Sequence, residues 1–243
     1  MLLETMTISH RFCGPSKSGN GGYVCGRIAR HITGSATVRL FSPPPLETGL
    51  RIESVDGVVK LLHGSEVVGE GRKAELDLTL PLSPSISEAK EASKSYLGFT
   101  SHNFPRCFVC GPLRENGDGM RIFAGPLKDS SVVAAPWIVD ASLDKDSRIS
   151  DEFLWAALDC PSGFAVLPVA EGMTLVLGQL SGHIYGSVRA SEVCVVIGWP
   201  IQIEGRKRVS GSAVFSEAGG VVAIGRATWI EVPESAFPAE KAG

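Results

Sequence analysis

Two short stretches combine residue types that could do chemistry. In "SDEFLWAALDCPSGFAVL" a carboxylate, Asp159, follows the apolar run Phe153-Leu154-Trp155-Ala156-Ala157-Leu158. A carboxylate held there could serve as a general base or a nucleophile. Its bland reading is a helix end: proline is poor inside a helix and the residue before it avoids the helical region, so Pro161 predicts a break near Cys160 with Asp159 as a capping residue. The second stretch is Asn20-Gly21-Gly22, at the head of "GNGGYVCGRIARHI". Glycines at a helix start let backbone N–H groups approach a ligand, and the helix dipole adds positive potential. Asn-Gly is equally a common plain turn.

Other candidates are weaker. Cys107-Phe108-Val109-Cys110, with His102 five residues upstream, has a metal-binding look. A structural tetrahedral zinc site needs four ligands and this pair supplies two. Cys13 or Cys160 would have to complete it in space, which no spacing demands, so the pair is read as small apolar thiols beside a turn at Gly111-Pro112 and no metal is assigned. The five histidines (10, 31, 63, 102, 183) form no ligand pair at helical spacing, and no Gly-x-Ser-x-Gly elbow is present. Gly117-Asp118-Gly119 reads as a turn.

The elements that must position these groups emerge from an internal correspondence. "VVGEGRKAELDLTLP" (Val67 to Pro81) aligns with "VVAIGRATWIEVP" (Val221 to Pro233) at an offset of 154, and "TVRLFSPPPLETGLRI" (Thr37 to Ile52) aligns with "SGHIYGSVRASEVCVV" (Ser181 to Val196) at an offset of 144. The order is kept, and the step between offsets implies about ten extra residues in the second copy, placed in a longer hairpin around "GWPIQIEGRKR". Each copy reads as a helix followed by antiparallel strands. The first has strands near 36–41, 48–55, 58–63 and 66–80, and the second near 173–185, 190–203, 207–217 and 220–232. Ser150 is the expected N-cap of the second helix, with Asp151 and Glu152 in its first turn. Boundaries fall at 1–81 for the first half, 82–103 for a linker with a short surface helix after Ser87, 104–234 for the second half and 235–243 for a tail.

Composition narrows the class. With 44% hydrophobic and 20% charged residues the chain can build a sizeable core. A net charge of −3 argues against a nucleic-acid or anionic-membrane partner, although Arg206-Lys207-Arg208 could meet a small anion. Neither a basic leader with an apolar core nor an apolar run of about 20 residues is seen, so a cytoplasmic chain is expected. Six dispersed cysteines fit reduced thiols.

"FPRCFVCGPLRENGDGMRIFAGP" (Phe104 to Pro126) resembles the Cys-Phe-x-Cys-Gly-Pro opening, followed by Gly-Leu-x-Ile/Leu, of hot-dog-fold acyl-CoA thioesterase-like proteins, and "AALDCPSGFA" is similar to their central helix with its acidic residue. The resemblance covers residues 104–233 well and 10–80 more loosely. It implies an α+β chain with a tandem (double) hot-dog fold, each half a long helix wrapped by an antiparallel sheet, with acyl-CoA in the groove between halves. It further implies a homo-oligomer, and no cofactor beyond the CoA of the substrate. In the phenylacetate-pathway type a His-Gly-Gly turn opens the helix, and an Asp follows eight positions after the first of those glycines. Here Asn20 replaces the His, Ala29 stands where the first copy would have the acid, and the second copy has Asp159 without the glycine turn. One composite site is therefore expected, with Asp159 as base or nucleophile, Gly21 or Gly22 N–H as oxyanion donor and Asn20 orienting the carbonyl or water. Larger double hot-dog thioesterases add a Gln on the last core strand, where this chain has Ala227; Thr174, Gln179 and Ser181 are candidate substitutes. Phe153, Trp155 and Phe164 are expected along the acyl chain, and Arg72 and Arg226, with Arg27, Arg30 and the 206–208 hairpin, near the CoA phosphates. A non-catalytic acyl-binding protein is the alternative. A dehydratase is disfavoured, since the His such enzymes pair with an acid has no clear counterpart.

Overall fold

The computed structural model describes residues 1–145 and 148–237. Thirteen strands and three α-helices are found among them. The strands are β1 (Leu2–Met6), β2 (Ala36–Leu40), β3 (Leu50–Val55), β4 (Val58–His63), β5 (Glu66–Lys73), β6 (Gly125–Pro126), β7 (Val133–Ile138), β8 (Asp144–Lys145), β9 (Arg148–Ile149), β10 (Met173–Ile184), β11 (Val193–Glu204), β12 (Lys207–Ser216) and β13 (Val221–Pro233). The helices are α1 (Gly21–Ala29), α2 (Ile86–Ser93) and α3 (Asp151–Phe164).

Eleven strands form one sheet in the order β1-β3-β4-β5-β2-β10-β13-β12-β11-β7-β6, and β8 pairs with β9 apart from it. All of its pairings are antiparallel. About the β2–β10 junction the order reads alike in both directions for five strands, with the two-residue β6 added at one edge. In each direction the first strand after a helix lies innermost, and the last strand of the half lies next to it. Register repeats too: Thr37 stands opposite Arg72 between β2 and β5, and Ser181 stands opposite Arg226 between β10 and β13. At the junction Thr37 faces Ser181 itself, and their hydroxyls bond at 2.7 Å. The long β11–β12 hairpin takes up residues 193–216.

Both helices pack on one face of the sheet, α1 against β2, β5 and β10 and α3 against β10 to β13 and β7. Twelve consecutive residues of α3, Glu152 to Gly163, are buried, because α3 has the sheet on one side and α1 on another. A helix apolar on most sides, with Glu152, Asp159 and Ser162 as its buried polar exceptions, belongs in such a place. This burial also explains why Pro161 does not end it: the helix runs on to Phe164, so Asp159 is an interior residue and not a cap. Ser162 Oγ donates to the Asp159 carbonyl at 2.6 Å and accepts the Trp229 indole N–H at 2.9 Å, tying this last turn to β13. Ser150 is the N-cap by position, without a side-chain bond to the helix. The helix of the first half is short, nine residues.

Strand β5 ends at Lys73, not near residue 80. Beyond it Leu76, Leu78 and Leu80 pack on the outer face of the second half's sheet, with Val195, Ile197, Trp199 and Phe215. Their alternation is that of a strand, but the segment joins no sheet and packs on its face as a strap. α2, closed by a Ser85–Glu88 capping box, covers the same face through Ala89 and Ala92.

Candidate active site

α1 and α3 approach closely because α1 has glycine where it meets α3. A Cβ on Gly22 would lie 2.5 Å from Asp159 Cβ and 2.7 Å from the Trp155 carbonyl oxygen, and one on Gly26 would lie 2.5 Å from Glu152 Cα. Four residues apart, these glycines form one bare stripe. The contact delivers the Gly22 N–H to Asp159 Oδ2 at 2.9 Å. The Asn20 amide donates to the same oxygen at 2.9 Å, while its Oδ1 caps α1 by accepting the Tyr23 N–H at 2.9 Å. Asp159 Oδ1 is buried without a hydrogen-bond partner. Burial raises the Asp159 carboxyl to about 7, against the lowering effect of the Gly22 and Asn20 hydrogen bonds.

Asp159, Asn20 and Gly21 border a cavity of about 370 Å³, within the range of small-molecule sites. Its wall comes from both halves: Gly19 to Gly21 and Leu40 to Pro44 from the first, Phe164, Leu167 and Thr174 to Gly178 from the second. The register shift between Leu177 and Gln179 places Gly178 there. Gly21, first in its helix and therefore with an N–H that has no intrahelical acceptor, borders the cavity.

No family model matches the chain, and no curated relative matches it either. Solved structures do. A tesB protein of Mycobacterium avium subsp. paratuberculosis superposes with a TM-score of 0.60 at 12% identity over 96% of each chain. The acyl-CoA thioesterase II TesB2 of Mycobacterium marinum gives 0.59 at 11% identity over 98% of each. A conserved protein of unknown function with a hot-dog fold, from Alicyclobacillus acidocaldarius, gives 0.51 at 9% identity over 96% of each.

The chain has the hot-dog fold.

On this hot-dog scaffold the expected residues divide. Asp159, Asn20, Gly21 and Phe164 come together at the cavity. Gly22 is not part of its wall and its N–H is engaged by Asp159, so of the two expected oxyanion donors only Gly21 borders the cavity. Phe153 and Trp155 are correctly placed on α3 but on other sides of it. Phe153 packs with Phe12, Tyr23 and Phe108, and Trp155 lies against Gly182. Neither borders the cavity among the residues that do. Arg72 and Arg226 are exposed on sheet strands away from it, Arg72 paired with Glu70. Arg27 is bound to Glu4. Among the described residues no Lys or Arg borders the cavity; Lys17 lines a smaller adjoining depression that shares Pro15, Ser18, Pro43, Phe104 and Phe237 with it.

Thr174 lines the cavity, Ser181 is occupied at the junction by Thr37, and Ala227 is buried opposite Leu180. The thiols, read from the sequence as small apolar groups beside a turn, do meet: Cys107, Cys110 and Cys160 converge at the same wall, with Cys160 rather than Cys13 as the third member. The Cys-x-x-Cys spacing was their signal, but the third member is 53 residues from Cys107 and its approach depends on α3. Among the described residues no helix is long and apolar enough to cross a membrane.

Proposed function

We propose that the chain hydrolyses acyl thioesters on a double hot-dog scaffold derived from an internal duplication. The duplication is supported by the palindromic strand order and by the shared register of Thr37 with Arg72 and Ser181 with Arg226. The hydrolase reading is carried by one observation: a buried carboxylate, Asp159, is fixed by the N-terminal turn of the other half's helix at the edge of a cavity between the halves.

In this reading the acyl group lies in the cavity against Phe164, Leu175 and Leu177. Asp159 takes the proton of a water that attacks the thioester carbonyl carbon, and the oxyanion meets the Gly21 N–H. Collapse of the tetrahedral intermediate breaks the C–S bond, and the proton passes to the departing sulfur. A carboxylic acid and a free thiol result. Direct attack by Asp159 is the variant of the same chemistry, and single-turnover labelling in heavy-oxygen water separates the two. CoA is the proposed thiol carrier, its phosphates lying outside the cavity toward Lys17. Self-association is part of the proposal and is read by gel filtration with light scattering.

A second reading, acyl binding without turnover, is favoured by Ala227 and by the lack, among the described residues, of a cation lining the cavity. A panel of acyl-CoA and acyl-pantetheine esters assayed for thiol release separates them. Turnover that falls by about 10²–10⁴ in Asp159→Asn, a general base's usual share, supports the hydrolase. Binding of esters with no turnover supports the alternative, and unchanged turnover in Asp159→Asn removes Asp159 from the chemistry.

A further inference from the structure

Cys107, Cys110 and Cys160 hold their sulfur atoms within 4.8 Å of one another, all three buried, and Cys107 Sγ lies 3.6 Å from Cys160 Sγ. For sulfurs at the usual Zn–S distance of about 2.3 Å, the edge of a tetrahedron is about 3.8 Å. Two elements bring them together. Cys107 and Cys110 sit on a turn closed by the Gly111 N–H on the Cys107 carbonyl at 2.8 Å, and Cys160 is anchored in the interior of α3. The turn requires glycine, since a Cβ at Gly111 would lie 2.6 Å from Cys107 backbone atoms.

Two side-chain N–H donors lie against the sulfurs, and the Asp159 carboxylate shares one of them. His102 Nδ1 accepts the Phe104 N–H at 3.0 Å, so the ring proton of the neutral imidazole is on Nε2, which lies 3.3 Å from Cys110 Sγ. The Asn20 amide reaches Cys107 Sγ at 3.8 Å and Cys160 Sγ at 4.0 Å. N–H groups turned toward clustered sulfurs suit thiolates, and donors of this kind orient the ligands of thiolate metal sites. As thiolates, three sulfurs this close would need a cation among them.

We propose that Cys107, Cys110 and Cys160 form a three-thiolate site for a zinc ion, with the fourth position open to the cavity. Soft thiolate sets select Zn²⁺ among the common divalent ions, and three protein ligands with one open position are the arrangement of a zinc that keeps a water or takes a ligand. All three cysteines border the cavity, which supplies that water. His102 acts as a positioning donor to Cys110 and not as a ligand, because its Nδ1 already accepts a backbone N–H. The site does not depend on the hydrolase reading and is tested without an activity assay.

The test uses the full, untagged chain, reduced, loaded with Zn²⁺ and desalted. Elemental analysis is expected to find one zinc per chain, and Co²⁺ in its place is expected to give sulfur-to-cobalt charge-transfer absorption. Cys107→Ser, Cys110→Ser and Cys160→Ser are expected to lose the zinc. Cys25→Ser and Cys194→Ser, buried cysteines outside the cluster, are expected to keep it. Because a serine variant can fail to fold, the wild-type chain is also titrated with a mercurial, and zinc is expected to leave as three thiols react. A wild-type chain that holds no zinc after loading, or Co²⁺ bound without the charge-transfer band, overturns the proposal, as does a disulfide between Cys107 and Cys160 in the reduced and loaded protein.

Discussion

Gly22 donates its N–H to the carboxylate of Asp159 at 2.9 Å across 137 residues of chain. The glycine does two things there. Its missing side chain admits α3, and its N–H, one of those the helix cannot use internally, meets the acid.

Gly22→Ala should therefore be disruptive in a particular way. The new methyl would stand 2.5 Å from Asp159 Cβ and 2.7 Å from a backbone oxygen, so the helices must part, at a cost of about 1–3 kcal/mol. Gly26→Ala meets α3 as tightly at Glu152 but touches no part of Asp159. Thermal melting should show comparable losses, whereas thioester turnover per folded molecule should drop further in Gly22→Ala. Equal turnover in the two would detach the glycine from the site.

Asn20 has a divided role. Asn20→Ala removes the N-cap of α1, worth about 0.5–2 kcal/mol, together with one of the two donors to Asp159. Asn20→Asp keeps an acceptor for the Tyr23 N–H but sets a second carboxylate against the first. Denaturant unfolding should find the aspartate variant less stable than the alanine variant at neutral pH and recovering toward acid pH. No recovery would show that the two carboxyls do not meet.

At the β2–β10 junction the Thr37–Ser181 pair predicts an asymmetry. Ser181→Ala leaves the half-buried Thr37 hydroxyl without its partner and should cost about 1–3 kcal/mol, whereas Thr37→Val with Ser181→Ala removes both polar groups and should cost less than the single change. A double-mutant cycle by chemical denaturation reads the coupling; additive single effects would contradict the contact.

Acid stability should depend on Glu4, whose carboxylate joins Arg27 and His31 of α1 and its following turn. Partial burial pushes its carboxyl up, but the His31 hydrogen bond and the Arg27 charge and hydrogen bond outweigh this and hold it below the ordinary 4.5. A carboxyl lowered in the folded state contributes stability above its unfolded pKa and loses it as pH falls through the folded pKa. Glu4→Gln should thus be less stable than wild type at neutral pH, with the gap closing below about 4. A gap that does not change with pH would point to packing instead.

What could be read without coordinates was whatever neighbouring residues encode. Strand periodicity placed β2 to β4 and β10 to β13 within a few residues, and the glycine turn placed the start of α1. The same locality misled at Leu76, Leu78 and Leu80, since an extended strap and a strand share a period of two. At Pro161 the bland reading of a helix end is the one that fails, because burial of α3 on nearly all sides outweighs the local cost of proline. The side of α3 on which Phe153, Trp155 and Phe164 lie, and the outward direction of Arg72 and Arg226, depend on what each element packs against.

The residues of the site were legible one by one, as an acid after an apolar run, a glycine turn and a Cys-x-x-Cys. Their meeting was decided only by tertiary structure. Asp159 reaches Gly22 because α1 and α3 close on a glycine stripe, and Cys160 reaches Cys107 because the turn at 107–111 lies beside α3. A contact between residues more than fifty positions apart leaves no periodic trace in a single chain, because its energy comes from packed surfaces that exist only once both halves have folded.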